Sequence, residues 1–240
     1  MSSQRHSQIE LHKVGQSFFA HQHWVNLFAD LSFSIEQGQS YAITGPSGSG
    51  KSSLLMLASG LEQPTAGKLV YNNQGHTQPL SDIRSEIGFI FQQFHLLPEF
   101  DALNNVALPL KLRGNKKALA IAQEWLEKVG LGHRLKHKPA QLSGGEQQRV
   151  AIARALVFNP KFIFADEPTG NLDAKSAAEI ADLLFDCCRD KGAGLVLVTH
   201  SDSLAQQAQH QLRFNAGRCQ WLGAQQRAVH SAKRGSNRYA

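Results

Sequence analysis

Residues 45–52 combine glycines, small serines and one lysine at the spacing G-x-x-x-x-G-K-[ST]. Glycine and serine let the backbone turn tightly enough for successive N–H groups to point inward at phosphate oxygens. Lys51 would reach the β- and γ-phosphates of a nucleotide, and Ser52 would hold Mg²⁺. The members of this predicted phosphate loop are Gly45, Pro46, Ser47, Gly48, Ser49, Gly50, Lys51 and Ser52, and Ser53 follows it as a further predicted contact.

The segments on either side of the phosphate loop are those that such a loop requires. Ser40–Thr44 is a short apolar run typical of a buried strand, and residues 51–59 contain no helix breaker. The positive N-terminal end of this predicted helix would face the phosphates. A surface loop that matches the pattern by chance would lack this strand and helix, so the context favours the phosphate site.

A second predicted strand brings acidic side chains. Residues 162–165 are apolar, and Asp166 and Glu167 follow them. In a parallel sheet such a strand delivers acids to the carboxyl edge, where ligands bind. Asp166 would anchor Mg²⁺ directly or through water, and Glu167 would orient and deprotonate the water that attacks the γ-phosphate. Taken alone, such a pair would more often be two ordinary loop acids. Together with the phosphate loop, the pattern favours a catalytic pair.

Residues 142–149, Leu-Ser-Gly-Gly-Glu-Gln-Gln-Arg, form a third motif, called the signature segment below. With the phosphate loop before it and the acidic strand after it, the chain resembles the ATP-binding subunit of ABC transporters over nearly its whole length. Gln92, the Asn-Leu-Asp turn at 171–173 and His200 support the resemblance by their order. It implies an α/β fold, a RecA-like P-loop NTPase core with an antiparallel β-subdomain and an inserted α-helical subdomain.

The resemblance also implies a homodimer in which two subunits face head to tail and share two ATP molecules. Within each site, Glu167, His200 and Gln92 of one subunit would serve catalysis, and Ser52, Gln92 and Asp166 would bind Mg²⁺. Ser143, Gly144 and Gly145 of the other subunit would cover the γ-phosphate. Those three residues precede a helical stretch at 146–157, so they would present backbone donors at its positive end.

One position of the ATP site has two candidates. In the family, an aromatic ring upstream of the phosphate loop stacks on adenine, and the usual tyrosine is replaced here by Phe18 or Phe19. We prefer Phe18 because it stands where the family's aromatic residue usually falls. The alternative is that one or both rings pack in the core.

Composition limits other functions. The chain has 240 residues and a net charge of +6, but no acidic residue follows Asp202, whereas six basic residues do. The remainder is formally neutral, so the basic balance comes from the end of the chain and direct binding to nucleic acid is not expected. Without a signal peptide or an apolar run of about 18 residues, we expect the chain to remain in the cytosol. The resemblance implies that it acts there as a peripheral protein on the cytoplasmic face of the inner membrane.

The order of elements predicts one ABC ATPase domain at 1–222 and a basic tail at 223–240. Residues 9–14 and 31–35 alternate like strands of an antiparallel β-layer. A helical subdomain would be inserted at about 93–158, with Asp101 as a helix N-cap and Gly130 ending a helix at 116–129. We further expect a helix at 174–189, a strand at 195–199 and a final hairpin near Leu212 and Trp221 on the β-layer.

The predicted insertion would also contact a membrane partner. Residues 94–100, Phe-His-Leu-Leu-Pro-Glu-Phe, concentrate large apolar side chains beside Gln92, and exposed apolar clusters usually mark interfaces. In the family this region contacts the membrane partner, so the resemblance implies that an integral membrane permease docks here and around residues 103–110. The alternative is that about half of these side chains turn inward.

Three stretches, residues 91–98, 102–110 and 165–173, look like the LolD/MacB group, which serves lipoprotein release and macrolide export. A methionine-type importer ATPase and the cell-division ATPase FtsE are similar in the same loops. A different class would be a soluble ABC ATPase that acts on nucleic acid or ribosomes. Members of that class usually carry long coiled coils or two fused cassettes, and neither occurs in this sequence.

Overall fold

The computed structural model describes residues 7–20, 23–215 and 218–222, so the predicted tail at 223–240 lies outside the described residues. The strands are β1 (Gln8–Ala20), β2 (His23–Glu36), β3 (Ser40–Thr44), β4 (Ala66–Asn73), β5 (His76–Pro79), β6 (Ile87–Ile90), β7 (Phe162–Asp166), β8 (Gly194–Val198), β9 (His210–Asn215) and β10 (Arg218–Leu222). The α-helices are α1 (Lys51–Ala58), α2 (Ala102–Leu112), α3 (Ala118–Lys128), α4 (Gly144–Leu156), α5 (Ala174–Lys191) and α6 (Asp202–Gln206).

The larger sheet has the strand order β10-β9-β3-β8-β7-β6, and all pairs except β10 with β9 are parallel. Its central strands are apolar on both faces because alternate side chains enter two different core clusters. Phe162 and Phe164 of β7 belong to one cluster, whereas Ile163 and Ala165 belong to the other. This arrangement of a covered parallel sheet confirms the predicted α/β fold class.

A second, antiparallel sheet of order β2-β1-β4-β5 faces the helix that follows the phosphate loop. Leu54, Leu55 and Leu57 of α1 share one cluster with side chains from both sheets, and each is fully buried. Burying each leucine contributes about 1.5–3 kcal/mol. Helix α1 is thereby wedged between the two sheets, which holds the phosphate loop at a fixed position.

Helices α2, α3 and α4 pack against one another, and all three fall within the predicted insertion at about 93–158. Asp101 caps α2 as predicted, since its Oδ1 accepts a hydrogen bond from Asn104 N at 2.7 Å. Helix α3 ends at Lys128, shortly before Gly130 with a φ of 81°. None of the helices in the described ranges has the length and apolar character needed to cross a bilayer.

The expected position of the final hairpin was wrong. β9 and β10 do pair as a hairpin, but β9 lies parallel to β3 and extends the larger sheet instead of the antiparallel layer. The physical reason is that β3 would otherwise be an edge strand with unpaired backbone groups. Leu212 and Phe214 of β9 are buried in the same cluster as Ile43 of β3, which fixes the register.

Candidate nucleotide-binding and hydrolysis site

The phosphate loop begins at the carboxyl end of β3 and runs into α1. At Gly45, with φ 148°, a Cβ atom would lie 2.0 Å from the carbonyl oxygen of Phe214, so only glycine fits against β9. Gly50 is the left-handed N-cap of α1, and no side chain caps that helix. Within the described part of the chain, the backbone N–H groups of the loop that have no acceptor are those of Ser47, Gly48, Gly50, Lys51, Ser52 and Ser53. Such a cluster of free donors at a helix N-terminus is suited to an oxyanion.

Lys51 lies inside the phosphate loop. Its ammonium group donates to the carbonyl oxygens of Gly45 at 3.0 Å and Pro46 at 2.9 Å, and the residue is 5% exposed. Burial lowers the pKa of Lys51, whereas the nearby carboxylates of Glu167 and Asp166 act in the opposite direction. The lysine is therefore a cation held by weak carbonyl partners, which a phosphate can replace with stronger charge-assisted bonds.

Ser52 and Asp166 form the pair with the chemistry of a Mg²⁺ site. The Ser52 hydroxyl donates to Asp166 Oδ1 at 3.1 Å. Burial raises the pKa of Asp166, while the Ser52 hydrogen bond and the charge of Lys51 counteract part of that effect. Mg²⁺ prefers hard oxygen ligands and is usually bound by one or two protein groups together with water and phosphate oxygens. An alcohol and a carboxylate beside the phosphate loop fit that requirement.

Glu167 and His200 meet at the carboxyl ends of β7 and β8. Glu167 Oε1 lies 3.3 Å from His200 Nε2, and the His200 backbone N–H donates to Glu167 Oε2, also at 3.3 Å. Ser47 Oγ of the phosphate loop lies 3.5 Å from the same imidazole nitrogen. The structure therefore brings the phosphate loop, His200 and Glu167 together, although they come from three separate parts of the sequence.

Gln92 lies beside this group and hydrogen-bonds to Asn171, and among the described residues it forms no hydrogen bond to Asp166. Its amide Nε2 donates to Asn171 Oδ1 at 3.4 Å, and Asn171 Nδ2 donates back to the Gln92 carbonyl at 3.0 Å. A Cβ atom at Gly170 would lie 3.0 Å from Gln92 Nε2 and 3.5 Å from Glu167 Cβ. Gln92 is thus adjacent, through Asn171 and Gly170, to the loop that follows Asp166 and Glu167.

The signature segment folds as the predicted start of a helix. Ser143 is the N-cap of α4, and its backbone N–H donates to Glu146 Oε2 at 2.8 Å while its Oγ accepts from Glu146 N at 3.3 Å. The backbone N–H groups of Gly144 and Gly145 have no acceptor among the described residues. This helix end therefore presents free donors and a positive dipole end, as the phosphate loop does.

The two aromatic candidates for adenine lie near the end of β1. Phe18 is 45% exposed and Phe19 is 62% exposed, so neither ring is buried in the core. Phe19 packs edge-on against Trp24 at a centroid distance of 5.6 Å, whereas Phe18 makes no ring contact within the ranges that the structure describes. The free face of Phe18 favours it for stacking, and its role stays a prediction.

Sequence reasoning missed two residues of α4 that hold the loops of this site. Gln148 donates to the carbonyl oxygen of Pro168 at 2.7 Å, directly after Glu167. Arg154 donates to the carbonyl oxygens of His95 at 2.6 Å and Phe94 at 2.8 Å, directly after the loop of Gln92. The signal for Gln148 was its place on the apolar face of the helix with 151, 152 and 155. No comparable signal marked Arg154.

Comparisons with known proteins agree with this geometry. A family model described as "ABC transporter" matches residues 28–170. The chain is similar to a solved dimeric structure of the ATP-binding cassette MJ0796 in a post-hydrolysis state bound to ADP and Pi, with 35% identity over 90% of this chain and 99% of that chain, at a TM-score of 0.78. A second dimeric structure of MJ0796, described as a bacterial ABC transporter cassette, matches with 36% identity over the same shares and the same TM-score. The protein described here belongs to the ABC transporter family, as one of its ATPase domains.

Proposed function

We propose that this ATPase binds ATP between two copies of itself and uses its hydrolysis to drive a separate transmembrane partner. The observation that carries the proposal is the meeting of the phosphate loop with His200 and Glu167 at one sheet edge. Each copy also presents a second set of free donors at Gly144 and Gly145. A head-to-tail pair would use both sets on the same triphosphate.

In the proposed reaction, the free N–H groups of the phosphate loop and Lys51 bind the triphosphate and neutralise its charge. Ser52 and Asp166, with Gln92 nearby, would hold Mg²⁺, which supplies charge neutralisation for the phosphate oxygens. Glu167 accepts the proton of the attacking water as a general base. His200 contacts the carboxylate of Glu167 and is positioned to keep it oriented toward that water.

The homodimer follows from the position of the signature segment. Among the described residues, Ser143 forms hydrogen bonds only within its own helix end, to Glu146 and Gln147. We propose that Ser143, Gly144 and Gly145 act on the ATP of a second copy. Because the γ-phosphate would join two copies, its release after hydrolysis would weaken the interface and allow the pair to open. Both similar structures of MJ0796 are described as dimeric.

The proposed membrane partner docks on the helical subdomain at the cytoplasmic face of the inner membrane. Leu97 and Phe100 are 38% and 37% exposed beside the loop of Gln92, whereas Leu96 packs against the core. In α2, Val106, Ala107 and Leu110 are buried, so residues 103–110 offer less docking surface than expected. We propose a partner of the lipoprotein-release or macrolide-export (LolD/MacB) type, which rests on the sequence resemblance of the loops at 91–98 and 165–173.

The direct test of the proposed chemistry is Glu167→Gln. Removing a general base slows turnover by about 10²- to 10⁴-fold, whereas the phosphate loop is untouched and ATP affinity should remain within about twofold. The variant should accumulate as an ATP-bound dimer in gel filtration. Glu62→Gln is the matched control, since Glu62 is exposed near the end of α1, and it should retain normal turnover. A Glu167→Gln protein that hydrolyses ATP normally as a monomer would disprove the proposal.

A further inference from the structure

Gln148 is a fully buried amide whose role the ATPase chemistry does not by itself explain. It is 0% exposed on the apolar side of α4, among Ala151, Ile152 and Ala155. Its Nε2 donates to the Pro168 carbonyl at 2.7 Å, and among the described residues its Oε1 has no hydrogen-bond partner. Burying an amide with an unsatisfied oxygen is unfavourable. A leucine or methionine would fill the space without that cost, so packing alone does not account for the amide.

The residue before Pro168 has an unusual backbone. Glu167 has a φ of 46°, in the left-handed region that non-glycine residues rarely adopt, and it precedes a proline, which restricts its backbone further. Such a conformation persists only where the surroundings impose it. Glu167 N donates to the Val198 carbonyl at 3.0 Å, and the Glu167 carbonyl accepts from Gly170 N at 3.0 Å.

The hydrogen bond from Gln148 supplies a third support for this conformation. Because proline has no N–H group, the carbonyl is the only backbone hydrogen-bonding group that Pro168 offers. Fixing that carbonyl fixes the peptide plane after Pro168 and limits rotation of the turn that begins at Glu167. The direction of the Glu167 side chain toward His200 depends on that turn.

We propose that Gln148 is a positioning residue for hydrolysis, which holds the Glu167 carboxylate in its reactive orientation through the Pro168 carbonyl. This inference rests on the proposed role of Glu167 as general base. Gln148 lies on the same helix as Ser143, four residues beyond Gly144 where α4 begins. The helix whose first residues would cover the partner copy's ATP is therefore hydrogen-bonded to the residue that follows the general base of its own site.

The test is Gln148→Met, which keeps the length and apolar packing of the side chain but removes the donor. We expect kcat to fall about 10- to 100-fold, the size expected for a misplaced catalytic group. KM for ATP should stay within about twofold, because the phosphate loop is unchanged. The double variant Gln148→Met with Glu167→Gln should still form the ATP-bound dimer. Gln123→Met, an exposed change on α3, is the control and should leave kcat unchanged.

A second variant separates positioning from folding. In Gln148→Glu, burial should raise the pKa of the introduced carboxyl group, which can donate a hydrogen bond to the Pro168 carbonyl only while it is protonated. Its kcat relative to the unaltered protein should therefore be highest at low pH and fall as the pH rises through that pKa, with KM constant. If Gln148→Met fails to fold by circular dichroism, this pH profile decides the question.

The possible failures are distinguishable. Folded Gln148→Met with normal kcat, or Gln148→Glu with the pH profile of the unaltered protein, would overturn the positioning role. A parallel loss of kcat and thermal stability with a raised KM would also overturn it, since that pattern indicates a structural role only. Normal turnover by Glu167→Gln would instead remove the proposed function itself.

Discussion

At the phosphate loop, the effect of burial on the pKa of Lys51 and on that of Asp166 is partly offset by neighbouring groups. Burial lowers the pKa of Lys51, and the two neighbouring carboxylates partly restore it. Burial raises the pKa of Asp166, and Ser52 together with Lys51 partly offsets that rise. Each residue therefore favours the charged form of its neighbour. The charges are arranged before the nucleotide binds, which is the condition for electrostatic catalysis without reorganisation.

The environment of Glu146 predicts how the stability of the protein depends on pH. The Ser143 backbone N–H, opposed by burial and assisted by Ser143 Oγ and Arg134, lowers the pKa of Glu146 below its ordinary value of 4.5. Since the folded-state pKa is depressed, the stabilisation is complete above about pH 4.5 and is lost as the pH falls through the lowered pKa. Glu146→Gln should therefore melt about 1–4 °C below the unaltered protein at pH 7.

The difference in melting temperature should shrink as the pH falls from about 5 to 3, because the unaltered carboxylate then becomes protonated. Thermal unfolding followed by circular dichroism at several pH values measures this. Glu124→Gln, at an exposed position of α3, controls for loss of one negative charge. A Glu146→Gln difference that is the same at every pH would contradict the assignment.

Sequence motifs predicted the residues of the site but not all their partners. The spacing around Lys51 and the acidic end of β7 were readable because backbone geometry fixes what a phosphate loop and a parallel strand can do. The contact between Gly45 and the Phe214 carbonyl joins residues far apart in sequence. The hydrogen bond from Gln148 to Pro168 likewise depends on how α4 packs on the sheet, which no local pattern encodes.

Helix α4 connects two loops of the site, the loop after β7 and the loop of Gln92. Its first residues form the signature segment, and Gln148 near its start contacts the loop after β7. Arg154 near its end binds the two carbonyl groups that follow the loop of Gln92. A rigid helix that contacts both loops would transmit movement of the helical subdomain to the nucleotide site.

Arg154→Met tests that connection. Hydrogen bonds from a charged group contribute about 1.5–3 kcal/mol, and the two carbonyl groups would lose their donors, so we expect the free energy of unfolding to fall by about this amount. Urea unfolding measures the change. Arg189→Met removes a guanidinium whose side chain is 74% exposed, and it should change stability by less than about 0.5 kcal/mol. Equal effects of the two substitutions would contradict a specific role for Arg154.

Most elements followed from their sequence patterns, and the terminal hairpin shows where pattern reasoning stops. The strands β3, β7 and β8 and the helix α5 lie close to their predicted bounds. The strands are short continuous apolar runs, and the helix repeats apolar residues at helical spacing. The segments near Leu212 and Trp221 were expected to form a hairpin on the antiparallel layer, and they do pair as a hairpin but join the larger sheet. Pairing was decided by the free edge of β3, which is a property of the assembled core.

Exposed apolar side chains of the helical subdomain form the proposed docking surface, which is tested on the assembly with its partner. Leu97→Asp should abolish co-purification with the proposed membrane partner from mild detergent, because it places a charge on the proposed docking surface. Nucleotide binding should remain within about twofold. Leu61→Asp is the matched control, since Leu61 is 52% exposed just beyond α1. Retention of the partner by the Leu97→Asp protein would place the docking surface elsewhere.

We propose that each ATP site is completed by residues from two copies of the chain. The most direct measurement is the ATPase rate per subunit of the purified protein over a wide range of protein concentration at saturating Mg-ATP. If hydrolysis requires a dimer, the rate per subunit will fall steeply on dilution and level off at high concentration. A rate per subunit that stays constant and maximal at extreme dilution would contradict the claim.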